Sequence, residues 1–313
     1  MSLIAIPRAF PTVLLASLAA CASPPDVAPF AEATRTLHLA VTSTARSAHD
    51  AIAASDAELA QRFDVEWEHR IKAIEAMDEY ARSLVTIVQA GEEGPAAARA
   101  VLDSASQLFA TLGAAYPLAS EVGRKLEVGA VAAYRAYAKD SAARTVGAAL
   151  ERADPAVEEV ADVLALDFEA MARIFEDLRV GARTDHIARE KQAKPVIGHV
   201  QSLEDEFEEL NARLAGQFDA TLVPQAGELA ELLERERALP EYVEYVDGLR
   251  AIEARYDAYD AAARTAADLV RVWGQSHADL VRAAELGRTP SFDTLLALTA
   301  DLLEVYEETR SIR

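Results

Sequence analysis

Apolar residues recur along this chain at the spacing of a helix face. Between Phe30 and Ala90 there is neither glycine nor proline. Through that stretch runs a stripe of Leu37, Val41, Ala45, Ala48, Ile52, Leu59, Phe63, Trp67, Ile71, Ile74, Met77, Ala81, Leu84 and Val88, with Ser55 as its polar member. Leu37 and Val88 lie 51 residues and 14 steps apart, about 3.6 residues per step, which is the period of an α-helix. The continuous phase predicts one helix of about 60 residues, about 90 Å long. Ser55-Asp56-Ala57-Glu58 has the S-x-x-E form of a capping box and offers a break at Ser55 as the alternative.

Glycine and proline punctuate the rest of the chain. Gly91, Gly94 and Pro95 end the first segment. A shorter helix is expected from Ala96 to Leu112, closed by Gly113 and Pro117. Leu118 to Ala153 reads as helix softened by Gly123, Gly129 and Gly147. Asp154-Pro155 predicts a fresh start, with Asp154 as N-cap and Pro155 at the first helical position. That helix should reach about Lys194, with a weak point at Gly181. Pro195 and Gly198 mark a joint, so two stacked bundles meeting near residues 181–198 compete with one continuous bundle. Val200, Leu203, Phe207, Leu210 and Leu214 then alternate steps of 3 and 4, and Pro224 and Pro240 bracket a short helix.

The most regular seam comes next. Tyr242, Tyr245, Leu249, Ile252, Tyr256, Tyr259, Ala263, Ala266, Val270, Trp273, His277, Leu280 and Ala284 alternate steps of 3 and 4 without slipping. This predicts a long coiled-coil-like helix, weakened locally by Gly248 and Gly274. Alanine and tyrosine at a seam do not favour a parallel dimer, so antiparallel packing within one chain is expected. Gly287 and Pro290 end it, and a last helix from Ser291 to Ile312 should bury Leu295, Leu298, Leu302 and Val305. Arg310 and Arg313 stand where cations suit a helix C-terminus. No stretch reads as a strand. The expected fold is an all-α, elongated antiparallel helical bundle with no sheet, spanning residues 30–313.

Composition agrees. Apolar residues make up 51% of 313, enough for a sizeable core, while aromatics are only 6%. Low Gly and Pro with abundant Ala, Glu, Leu and Arg is the composition of long helices. The formal charge is −21. Such a surface repels nucleic acid and anionic lipid head groups, and it favours cationic partners, loosely held divalent ions or simple solubility.

The N-terminus carries its own signal. Arg8 precedes an uncharged, largely apolar run from Ala9 to Ala20, and Leu18-Ala19-Ala20-Cys21 closes it. Cys21 is the only cysteine, which excludes an internal disulfide. The run is too short for a membrane span and has the layout of a secretory signal. Its last four residues resemble the lipobox of bacterial lipoproteins. The resemblance covers residues 1 to about 22 and implies that Met1–Ala20 is removed and that Cys21 is lipidated. It also implies an envelope protein tied to a membrane through lipid. Ala22, in place of the Asp that would retain a lipoprotein at the inner membrane, implies the outer membrane facing the periplasm if the host has two membranes. Residues 21–29 then form a lipidated, Pro-rich tether reaching about 25 Å at most.

Candidate chemistry is sparse. Glu66-Trp67-Glu68-His69 contains E-x-x-H, half of a carboxylate-bridged di-iron site, but no second copy exists and Trp67 occupies the stripe between the two Glu. A solvated face accounts for it better, and no metal or cofactor is expected. His277 lies on the seam beside Ser276; adjacent helix positions point about 100° apart and cannot form a nucleophile–base pair. His277 reads as a core or boundary histidine with a possible pH-sensitive role. His38, His49, His69, His186 and His199 show no metal-ligand spacing. Tyr242, Tyr245, Tyr256 and Tyr259, continued by Trp273 and His277, form a polar-edged aromatic stripe that suits seam packing or a binding groove. There is no G-x-S-x-G, H-E-x-x-H, P-loop or G-x-G-x-x-G motif. The expectation is a non-enzymatic, lipid-anchored scaffold or adaptor that binds another envelope component, monomeric or oligomeric. The alternative is a periplasmic ligand-binding or sensing module. An enzyme ranks last.

Overall fold

Asp56 decides where the stretch between Phe30 and Ala90 divides into two helices. The computed structural model describes residues 26–54, 56–90, 94–116, 122–126, 145–216 and 221–311, with the side chains of 308–311 excepted. Helix α1 spans Ala28–Ala53 and α2 spans Ala57–Gln89. Asp56 is extended, and its carboxylate accepts the Leu59 N–H at 2.9 Å, satisfying one of the orphan donors of the new helix. The single long helix is therefore overturned in favour of the break, and Asp56 is the cap. Ser55 lies outside the described residues. His49 meets Asp64 at 2.9 Å and His38 lies 3.8 Å from Asp78, so α1 and α2 run antiparallel. The stripe kept its phase because both arms of the hairpin turn the same face to one core. Periodicity records burial and is silent about chain reversal.

Helix α3 spans Pro95–Ala115 and passes through Gly113. It stops at Tyr116, which is extended, the conformation favoured for a residue before proline. Of the helix expected from Leu118 to Ala153, residues 118–121 and 127–144 lie outside the described residues, and residues 122–126 are helical. Helix α4 spans Val146–Ala193, and Thr145 caps it by accepting the Ala148 N–H at 3.2 Å. The predicted start at Asp154-Pro155 is thus replaced by one nine residues earlier, and Pro155 sits inside the helix. Pro155 and Glu151 are both exposed, so the carbonyl that Pro155 leaves without a donor can turn to water.

Lys194 separates α4 from α5 (Pro195–Gly216), which is followed by α6 (Leu222–Arg237), α7 (Pro240–Leu286) and α8 (Asp293–Ser311). Gly287 closes α7 in the left-handed conformation, φ 61°, which glycine adopts without a Cβ clash. Helices α4 and α7, at 48 and 47 residues, form an antiparallel pair about 70 Å long. Their cross-links fix the direction: Asp154 to His277, Glu169 to Arg271, Arg179 to Asp257 and Lys194 to Glu244. Alanines line both helices at the contact, among them Ala161, Ala165, Ala263 and Ala266. Gly274 and Gly248, expected as weak points, are instead close-approach positions. A Cβ on Gly274 would meet the Ala161 Cβ at 2.7 Å, and one on Gly248 would meet the His186 ring at 2.5 Å.

The α1–α2 hairpin, α3 and α8 pack around one half of this pair. Phe63, Trp67, Phe168, Phe175 and Tyr259 bridge α2, α4 and α7 with ring centroids 5.4–6.5 Å apart. In the other half, α5 and α6 cover the end of the pair with a separate small cluster of Val200, Leu203 and Leu233. Among the described residues there is no strand, and no helix is long and apolar enough to cross a membrane. The fold is an all-α antiparallel bundle.

Candidate functional site

The aromatic stripe of α7 divides between the two clusters. Tyr242 and Tyr245 belong to the distal one. Tyr242 donates its hydroxyl to Glu204 at 3.0 Å, which also holds Arg237 at 2.7 Å. The Tyr245 hydroxyl accepts from Gln201 at 3.2 Å, and its ring stacks on His186 with an interplanar angle of 2°. Tyr256 and Tyr259 enter the main core edge to face, 5.7 Å apart. The Tyr259 hydroxyl donates to the Ser47 carbonyl at 2.9 Å. Trp273 donates its indole N–H to Thr34 at 2.9 Å and stacks on Phe30 at 5.3 Å. Apart from Tyr256, for which only ring contacts are described, the polar edge of each residue has a partner within the protein. The stripe works as packing between helices.

His277 is the centre of a buried relay. It is 0% exposed. Nδ1 lies 2.7 Å from the Asp154 carboxylate and Nε2 lies 2.8 Å from the Tyr80 hydroxyl. An ionised carboxylate only accepts, so Nδ1 carries a proton; a neutral ring then accepts the Tyr80 proton at Nε2. Burial, reinforced by the Asp154 charge, pushes the Tyr80 phenol far above its usual range. Ser276 is also buried. This is the chemistry behind the displaced helix start: Asp154 serves as a partner for His277 on the facing helix.

A second buried network was not visible in the sequence. Arg70 donates from Nη2 to Asp167 at 2.7 Å, and Tyr116 donates to the other oxygen of Asp167 at 2.8 Å. Arg70 and Asp167 side chains are only 7% and 8% exposed. Arg70 also donates to the Glu66 carbonyl. Burial pushes the Tyr116 phenol well up, with the Asp167 charge adding to it. The network ties α2 to α4 and to the end of α3. Nothing in the sequence singled out Arg70, which lies one residue before the stripe position Ile71.

The E-x-x-H residues do not converge. Glu66 and Glu68 are exposed, Trp67 is in the core between them, and the half-buried His69 ring lies 5.9 Å from Tyr116. Glu68 pairs with Lys72 at 2.6 Å, which holds its carboxyl below the usual range. Among the described residues no three His, Cys, Asp or Glu side chains are placed to hold a metal ion. A polar cleft of about 310 Å³ opens between α2 and α3, walled by Tyr80, Arg82, Ser83, Ser104 and Gln107 among others. A second groove, of about 400 Å³, runs between α1 and α2. Cys21 and the residues around it lie outside the described residues. No family model, curated protein or solved structure matches the chain.

Proposed function

We propose that the protein is a lipid-anchored, non-enzymatic scaffold of the bacterial envelope that presents its α5–α6 end to a basic partner. The observation that carries this reading is the polarity of the bundle. Phe30, at the start of α1, packs on Trp273 and on Phe292. The α5–α6 cluster sits at the other end of α7, near Tyr242 and Glu244. Trp273 and Glu244 are separated by about 45 Å of helix. A chain held through Cys21 and a short tether would therefore carry α5 and α6 on the side away from the bilayer.

Charge supports the choice of partner. Helix α5 carries Glu204, Asp205, Glu206, Glu208 and Glu209 against Arg213 alone. Helix α6 carries Glu228, Glu231, Glu234 and Glu236 against Arg235 and Arg237. Such a face attracts cationic surfaces and repels anionic phospholipid head groups. The inward placement of His277 supports a non-enzymatic role, since a base with both nitrogens engaged and no exposure cannot reach a substrate.

Expression in a two-membrane bacterium tests the anchor and the partner together. The expected result is a mature N-terminus at Cys21 bearing acyl chains, outer-membrane fractionation, and release of the Cys21→Ala form into the soluble fraction. In-cell crosslinking from α5–α6 should capture one abundant basic envelope protein, lost in the Cys21→Ala form. An unmodified Cys21 would sink the anchor. The lack of a reproducible partner would sink the adaptor.

A further inference from the structure

The groove between α1 and α2 holds two buried polar groups that the protein itself does not use. Thr42 and Trp67 both line it. The Thr42 hydroxyl and the Trp67 indole N–H are buried and have no hydrogen-bond partner within the protein. Trp67 is 2% exposed. Its contrast with the other tryptophan is informative, because the Trp273 indole is paired with Thr34 at 2.9 Å. Buried donors in folded proteins are nearly always matched, so an unmatched indole N–H on a residue that lines the groove leaves a place for an acceptor from outside.

The surroundings define what kind. On α1, Thr42, Ala45, Arg46 and His49 follow the i, i+3, i+4, i+7 spacing of one helix face. On α2, Val65 and Ile71 add an apolar wall, and Val65 is 58% exposed. The two acids of the rim are already matched: Asp64 meets His49 at 2.9 Å and Glu68 meets Lys72 at 2.6 Å. Arg46 is exposed and lines the groove with no acid engaging it among the described residues. The unsatisfied set is thus a guanidinium, an indole N–H and a hydroxyl beside an apolar wall. Indole N–H and guanidinium groups donate only. At about 400 Å³ the groove has the size of a small-molecule site.

From this donor set we infer that the α1–α2 groove binds a small apolar carboxylate. The head group sits among Arg46, Trp67 and Thr42, and the apolar body lies against Val65, Ile71 and Ala45. The site needs no anchor and no partner, so it stands apart from the scaffold reading. A cationic head group there would face the Arg46 guanidinium and the Trp67 indole N–H, both donors, while the rim acids Asp64 and Glu68 are engaged by His49 and Lys72; a carbonyl oxygen would satisfy part of the set.

The test uses three probes of nearly equal shape on the full-length chain: cyclohexanecarboxylate, cyclohexanecarboxamide and cyclohexylmethylammonium. Tryptophan emission and ligand-observed NMR report binding. The carboxylate should bind saturably with a Kd of about 1 mM, as expected for a ligand of so few atoms. The carboxamide should bind several-fold more weakly and the ammonium more weakly still. Arg46→Gln, at an exposed position, should weaken the carboxylate about tenfold and leave the carboxamide nearly unchanged. Thr42→Val, close to isosteric, should weaken both. Circular dichroism confirms that each variant is folded. Three results would overturn the assignment: no saturable carboxylate binding below about 10 mM, ammonium binding as tight as carboxylate, or no effect of both substitutions. Any of these would leave the groove hydrated by water alone.

Discussion

Replacing Gly274 with alanine sets two effects of opposite sign against each other. In a helix interior, alanine in place of glycine stabilises by about 0.4–1 kcal/mol, because it reduces the freedom of the unfolded chain. Against this stands the crossing of α4 and α7. A Cβ at position 274 falls 2.7 Å from the Ala161 Cβ, about an ångström inside the carbon–carbon contact distance of about 3.8 Å. The Ala161 Cβ is fixed to its own backbone and cannot swing aside. Relief therefore requires the two longest helices to move apart, and overpacking of this kind costs about 1–3 kcal/mol. Gly181→Ala, on the same helix pair, supplies the reference, since nothing lies within 4 Å of a Cβ there. Its gain should stand alone. Urea unfolding followed by far-UV circular dichroism should place Gly274→Ala about 1–3 kcal/mol below Gly181→Ala. Adding Ala161→Gly to Gly274→Ala should recover most of the steric part. Equal stabilisation by both alanines would refute the close crossing and with it the register of the α4–α7 pair.

Other outcomes follow from the buried groups. Asp167→Ala should cost about 3–5 kcal/mol, because it strands the Arg70 charge in the core; the pair Arg70→Met with Asp167→Leu should stay much closer to the parent, as chemical denaturation would measure. Asp56→Ala should cost about 1 kcal/mol and fray the start of α2, detectable as faster amide exchange at Leu59. Stability should fall at high pH. Tyr80 and Tyr116 are held neutral in the fold, with phenol pKa values above those of the unfolded chain. Their contribution is complete below the ordinary tyrosine pKa of about 10 and is lost as pH rises beyond it, toward the folded values. Unfolding free energies measured across that range should decline, and a flat profile would contradict the burial of both phenols.

Much of this molecule was legible one helix at a time. The stripe from Leu37 to Val88 marks residues that are indeed in the core, including Phe63, Trp67, Ile74 and Met77. Proline and glycine locate both ends of α3, α6 and α7 and the starts of α5 and α8 within a few residues. The candidate site was far less visible. Trp67 reads as one more apolar position on the stripe, and nothing in the sequence says that its indole N–H lacks a partner while that of Trp273 has one. Arg46 carries no signal at all, since one exposed arginine resembles another until the acids around it are placed. His277 stands out on the seam, yet its two partners do not.

The sequence by itself determined that the chain is helical, which face of each helix is buried, and where proline and glycine interrupt it. These are properties of neighbours a turn apart, and a 3.6-residue period expresses them directly. Only the tertiary structure decided that the first stripe folds back at Asp56, that α4 runs through Pro155, and that Gly274 marks a crossing. It alone brought Tyr80 and Asp154 to His277, across 197 and 123 residues of chain, and Thr34 to Trp273 across 239. The reason is physical: helix phase is set within a few residues, whereas chain direction and the pairing of buried polar groups depend on contacts that exist only once distant segments have docked.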